Sequence, residues 1–140
     1  MDAAGIDVQI LSQSAPGVQI FAPIAAALAR ESNDQLADAV RRHPTRFAGL
    51  AAVAPQDPAS AAKEMERAVR TLGLKSVIIN SHTRGELLDD PKFWAIFEAA
   101  ESLGCPSTCT RRRPRRQAGS PVQPSAKVKV KAKPGARAPR

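Results

Sequence analysis

The chain has 140 residues, one domain's worth, and its formal charge of +8 invites a nucleic-acid reading. That charge is unevenly held: residues 1–104 carry 10 basic and 13 acidic side chains, a net of −3, while residues 105–140 carry 11 basic and none acidic. No run of about 18 apolar residues exists to span a bilayer, and the N-terminus, acidic at Asp2 and Asp7, lacks the basic start of a signal peptide, so a cytoplasmic protein is expected.

In chain order, Ile6, Val8, Ile10 and Leu11 form a short β-branched run closed by the polar turn 12–17, which reads as a strand and a loop. Residues from about Ile24 to Arg42 are alanine-rich, with Leu28, Leu36 and Val40 at helical offsets, and Pro44 stops them. The stretch from Phe47 to Ala54 is apolar without interruption, as expected of a strand covered on both faces, and Pro55 to Pro58 breaks it. A second helix follows, with Ala62, Met65, Val69 and Leu72 on one face, Glu66 and Arg70 paired on the other, and Gly73 at its end.

Val77, Ile78 and Ile79 form a third buried strand that ends at Asn80-Ser81-His82-Thr83. Asp90 offers an N-cap and Pro91 a first helical position, after which Phe93, Ile96, Phe97, Ala100 and Leu103 make a wide apolar stripe ending at Gly104. Strand and helix thus alternate three times, which implies parallel right-handed βαβ units. A doubly wound sheet and a part of a (β/α) barrel both satisfy this pattern.

Residues 105–140 lack Ile, Leu, Met and every aromatic residue. Such a segment cannot bury enough apolar surface to offset the entropy of ordering it, so a disordered basic tail is expected after Gly104. Cys105 and Cys109, with no further cysteine or nearby histidine, cannot complete a four-ligand zinc site or a disulfide framework. The commonest nucleotide-binding, zinc-protease and serine-hydrolase motifs are absent.

Several motifs agree with one family in both sequence and spacing. The segments Gly5-Ile6-Asp7-Val8-Gln9-Ile10-Leu11-Ser12, Ser14-Ala15-Pro16-Gly17-Val18-Gln19, Asn33-Asp34, His43-Pro44-Thr45-Arg46-Phe47-Ala48-Gly49-Leu50 and Asn80-Ser81-His82-Thr83 resemble the amidohydrolase-related metal enzymes. Within that family they look most like the branch of non-oxidative decarboxylases acting on γ-resorcylate and on aminocarboxymuconate semialdehyde. Leu87 to Trp94 and Phe97 to Ala100 are similar to the helix that precedes one of the family's metal-ligand strands. The resemblance covers residues 2–104 in colinear order.

It implies an α/β fold, here a partial (β/α)8 TIM barrel of about three βα units, with the site at the carboxyl ends of the strands. It also implies a divalent metal, zinc or manganese, and a small aromatic or unsaturated carboxylic acid as substrate of the intact enzyme, which would be decarboxylated or else hydrolysed. The family's ligands come from a His-x-His or Glu-x-His pair on its first strand, a histidine in a later apolar-x-apolar-His-Pro strand, and an aspartate on the last strand. None of these stands here as such, so truncation before Met1 is expected, no metal is expected to be held, and the catalytic residues are unknown. One base restored before codon 105 turns a TGC CCA TCT ACC TGC ACC CGN reading into Val-Pro-Ile-Tyr-Leu-His-Pro, the missing ligand strand. A frameshift after Gly104 is therefore expected.

With a barrel assumed, the site-lining candidates are His82, just past a strand's carboxyl end, followed by Asn80, Ser14 and Gln13. His43 reads as a helix C-terminal cation, Asn33 as a polar structural contact, and 83–86 as a solvated loop whose Arg84 suits an acidic substrate. The runs Arg111–Arg116 and Lys127–Lys133 could neutralise phosphates without base stacking, giving the alternative of an α/β scaffold that binds nucleic acid or anionic surfaces non-specifically. A partial barrel with open edges also favours association between copies.

Overall fold

The computed structural model describes residues 1–14 and 17–110. The basic runs expected to form a tail, 111–140, lie outside the described residues. Four parallel strands, β1 (Gln9–Ser12), β2 (Phe47–Ala52), β3 (Ser76–Asn80) and, last in the chain, β6 (Ser107–Thr110), stand side by side in that order. Helices α1 (Ala25–Arg42), α2 (Pro58–Arg70) and α3 (Trp94–Ser102) connect them, and a small hairpin, β4 (His82–Thr83) and β5 (Glu86–Leu87), follows β3.

The strand order decides between the two architectures left open by the sequence. A doubly wound sheet reverses its strand order and carries helices on both faces. Here the order follows the chain, and Ala37 of α1, Met65 of α2 and Ile96 of α3 share one core with Ala51, Val77 and Ile79 of the sheet. All three helices thus cover one face, which is the arrangement of a (β/α) barrel wall. Three βα units are present, as expected, with a fourth strand after them.

Each helix has a local cause. In α1 the stripe Ala25, Ala29, Asn33 and Ala37 is buried, so small side chains bring the helix close to the sheet, while Leu36 and Val40 pack at the margin. Gly49 of β2 is part of the same close approach: a Cβ there would meet Leu74 Cδ2 at 2.7 Å and Leu36 Cδ2 at 3.1 Å. Asp57 caps α2 by accepting the Ser60 N–H at 3.1 Å, with Pro58 at the first helical position. The buried face of α2 is Ala61, Met65 and Ala68, turned by one residue from the face read in the sequence, and Glu66 pairs with Arg70 at 2.6 Å on the exposed side. Asp90 accepts the Lys92 N–H and starts a 3-10 turn, Pro91–Phe93, before α3; Phe93 of the turn and Ile96 and Ala100 of α3 are buried.

Two expectations are corrected. The boundary at Gly104 falls short, because Cys105 is buried and β6 pairs in parallel with β3 through Thr110. Backbone hydrogen bonding carries this strand despite its polar sequence. The segment 83–86, read as a solvated loop, is a hairpin turn instead. Arg84 and Gly85 both take positive φ (52° and 83°), the pairing a tight two-residue hairpin requires, and Thr83 is buried.

Candidate functional site

The carboxyl ends of the parallel strands place three short segments together. β1 ends at Ser12 and runs into Gln13 and Ser14, β2 into Val53 to Gln56, and β3 into Asn80 to Thr83. Gln13, Ser14 and Asn80 line one cleft of about 30 Å³ with Gly17, Gln19 and Ile78, a volume suited to a water molecule or the tip of a ligand. Three of the four residues read as site candidates are therefore neighbours. The fourth, His82, is placed by its backbone two residues past Asn80, paired with Leu87 in the hairpin.

Gln19 holds these segments in place. Its chain enters a 3-10 turn, Val18–Ile20, from Gly17, whose φ of 66° and ψ of −169° are a backbone conformation that favours glycine. The Val18 N–H donates to Gln13 Oε1 at 3.2 Å. Buried Gln19 then accepts the Asn80 N–H at 2.7 Å, donates through Nε2 to Thr83 Oγ1, and accepts from Gln56 Nε2 at its own carbonyl. One side chain ties the segment after β1 to the segment after β3 across the end of β2. Both ends of its amide are used, as burial demands.

Gln19, Thr83 and Gln56 were not among the sequence candidates. Gln19 had one local signal, a lone amide inside Val18-Gln19-Ile20-Phe21, but its partners Asn80 and Thr83 lie 61 and 64 residues away.

A second polar network lies on the helical side. Asn33 is enclosed between α1, the end of β2 and α2, and Arg67 reaches Glu64 at 2.8 Å and Asp34 at 2.7 Å. The Arg67 guanidinium is held above its ordinary pKa, chiefly by its hydrogen bond to Glu64. A cleft of about 350 Å³ opens beside it, lined by Arg30, Lys63 and several alanines. Asn33 ties α1 to the last residue of β2, Ala52, and the charged groups join α1 to α2. His43 stands at the C-cap of α1, where its backbone N–H donates to the Val40 carbonyl, and meets the Phe47 ring edge-on at 5.5 Å, at the amino end of β2.

The polar side chains that line the strand-end cleft, Gln13, Ser14, Gln19 and Asn80, are amides and a hydroxyl. They accept and donate hydrogen bonds and can orient a polar ligand, but they neither exchange protons near neutral pH nor form the imidazole and carboxylate set that a divalent transition metal selects. Among the described residues, no three or more His, Cys, Asp or Glu side chains gather at one point. The residues present do not fit a zinc or manganese centre by themselves.

Residues 3–117 match the family described as amidohydrolase. The match continues past Gly104, where the sequence reading ended the resemblance, and takes in β6. The chain is 38% identical over 122 residues to the γ-resorcylate decarboxylase of Polaromonas sp. (strain JS666), covering 81% of this chain and 37% of that one. It is 37% identical over 102 residues to the 2-amino-3-carboxymuconate-6-semialdehyde decarboxylase of Dictyostelium discoideum, covering 71% and 28%. Among solved structures, the 5-carboxyvanillate decarboxylase of Novosphingobium aromaticivorans, complexed with manganese and 4-hydroxy-3-methoxy-5-nitrobenzoic acid, superposes with a TM-score of 0.74 at 47% identity, covering 76% of this chain and 31% of that one. The chain spans well under half the length of the relatives it matches.

Proposed function

The chain belongs to the amidohydrolase family, and from that premise we propose that it carries one portion of the barrel of a decarboxylase. The whole enzyme would remove carboxylate from a small aromatic or unsaturated acid with the help of a divalent metal, as the names of its relatives suggest. Hydrolysis is the alternative reaction, and release of carbon dioxide distinguishes the two. The observation that carries the reading is a colinear match over residues 3–117 joined to a strand-end cleft of Ser14, Asn80 and Gln13 that has no ligand set. The chain alone is accordingly inactive, and its compartment is the cytoplasm. Incubating the 140-residue chain with γ-resorcylate and added zinc or manganese should release no carbon dioxide above background, and release would overturn the proposal.

The frameshift reading gains support from the register of β6. Position 110 pairs with Asn80, and positions 108 and 110 lie on the same face as Ile78 and Asn80. The restored frame would place valine, isoleucine and leucine at 105, 107 and 109, facing the helices, and tyrosine and histidine at 108 and 110, facing inward. Such alternation is what a barrel strand requires, whereas the present Ser107, Thr108 and Cys109 are all exposed. Sequencing the locus across codon 105 tests this; a locus with no barrel sequence in another frame contradicts it.

The charge separation favours one further reading, non-specific binding of nucleic acid by the basic segment, with 11 basic and no acidic residues in 105–140. Filter binding at low and high salt, with and without residues 111–140, would show salt-sensitive retention that depends on those residues. Retention unchanged by their removal would contradict it.

A further inference from the structure

The four-stranded wall ends in two open edges whose stagger matches that of a closed barrel. β1 is paired only with β2, and β6 only with β3, among the described residues. Following the register from Gln9 to Phe47, Leu50 to Ser76 and Val77 to Ser107 brings residue 103 level with Gln9, yet β6 begins at Ser107, four residues farther along. A (β/α)8 barrel closes eight strands with a shear of eight. Four strands staggered by four residues are half of that barrel in both respects.

We propose that the open sheet binds a second copy of this chain, with β6 of each copy along β1 of the other, closing an eight-stranded barrel about a two-fold axis. In this closure Ser107–Thr110 run beside Gln9–Ser12 of the second copy over the full length of both strands. The even stagger also keeps Ile10 and Thr108 on the same inward face; a one-residue offset would turn one of them outward. The two junctions are identical, so the assembly closes at two copies rather than growing.

The chemistry of the edges agrees. Gln9-Ile10-Leu11-Ser12 and Ser107-Thr108-Cys109-Thr110 contain no charge and no proline, the usual devices that keep sheet edges apart. On the inward face, Ile10, Ala48, Leu50, Ala52, Ser76 and Ile78 bring no charge into the junction. Ile10 is 63% exposed in the single copy, and closure covers it. This inference rests on the fold alone and stands or falls apart from the catalytic reading.

Light scattering of the full chain after size exclusion should give twice the 14.9 kDa chain mass. A monomer, or open-ended growth, would overturn the proposal. Ile10→Lys sets a charge into the junction and should yield a monomer that keeps its helical circular dichroism. If that variant unfolds, cross-linking decides. In a Cys105→Ser background, Leu11→Cys places a thiol beside Cys109 of the second copy. Within one chain the two positions are three strand spacings across and four residues along the strands apart, about 19 Å along the sheet. A bismaleimide shorter than that should give covalent dimers only when Leu11→Cys is present. Dimers that fail to cross-link, or that cross-link equally without Leu11→Cys, would overturn it.

Discussion

Asn33 and Ala52 exchange two hydrogen bonds: the Asn33 amide donates to the Ala52 carbonyl at 2.9 Å and accepts the Ala52 N–H at 2.8 Å. Ala52 is the last residue of β2, so this buried side chain on α1 satisfies the strand exactly where its ladder ends. Asn33→Ala leaves a buried N–H and a buried carbonyl without partners. The expected loss is about 2–4 kcal/mol of stability, read from urea denaturation followed by circular dichroism; a loss within error would show that the contact is dispensable.

Gly49 lies between β2 and the side chains of Leu36 and Leu74, with no space for a methyl group. Gly49→Ala should cost about 1–3 kcal/mol through overpacking, although alanine ordinarily favours folding over glycine by reducing unfolded-state freedom. The urea midpoint of this variant gives the sign directly.

Much of this wall is written locally in the chain. Asp57-Pro58 and Asp90-Pro91 each carry their own cap and first helical residue, and Val77-Ile78-Ile79 is apolar enough to demand burial. What stayed hidden depends on distant partners. β6 is Ser-Thr-Cys-Thr, polar and short, and becomes a strand because the edge of β3 supplies hydrogen bonds to it. Gln19 becomes a clamp only when β1 and β3 are brought to the two sides of β2. Asn80, Ser14 and Gln13 were legible as neighbours because each follows a strand's carboxyl end, a position that the barrel itself brings together.

Gln19→Leu keeps the volume of the clamp and removes its hydrogen bonds. The Asn80 N–H then loses its partner, and its hydrogen exchange should speed up by about 10–100-fold, the counterpart of ~1–3 kcal/mol, with smaller changes in α1. Uniform acceleration along the chain would instead indicate global destabilisation.

Asp57 has a pKa below the ordinary 3.8, first because of the hydrogen bond from the Ser60 side chain and then that from the Ser60 backbone. A depressed carboxyl pKa contributes stability that is present above pH 3.8 and is lost as the pH falls through the lower folded value. Asp57→Ala should therefore lower the urea midpoint at pH 7 and converge with the parent below that range. Asp57→Asn should keep the cap without this acid dependence.

The most direct measurement is a calorimetric titration of the purified 140-residue chain with manganese at neutral pH. Amides and a hydroxyl in the strand-end cleft, with no gathered imidazole and carboxylate groups among the described residues, predict no saturable site. Saturable one-to-one binding that weakens on substitution of Asn80 or Ser14 would contradict the account, because the portion of barrel described here would then hold the metal by itself.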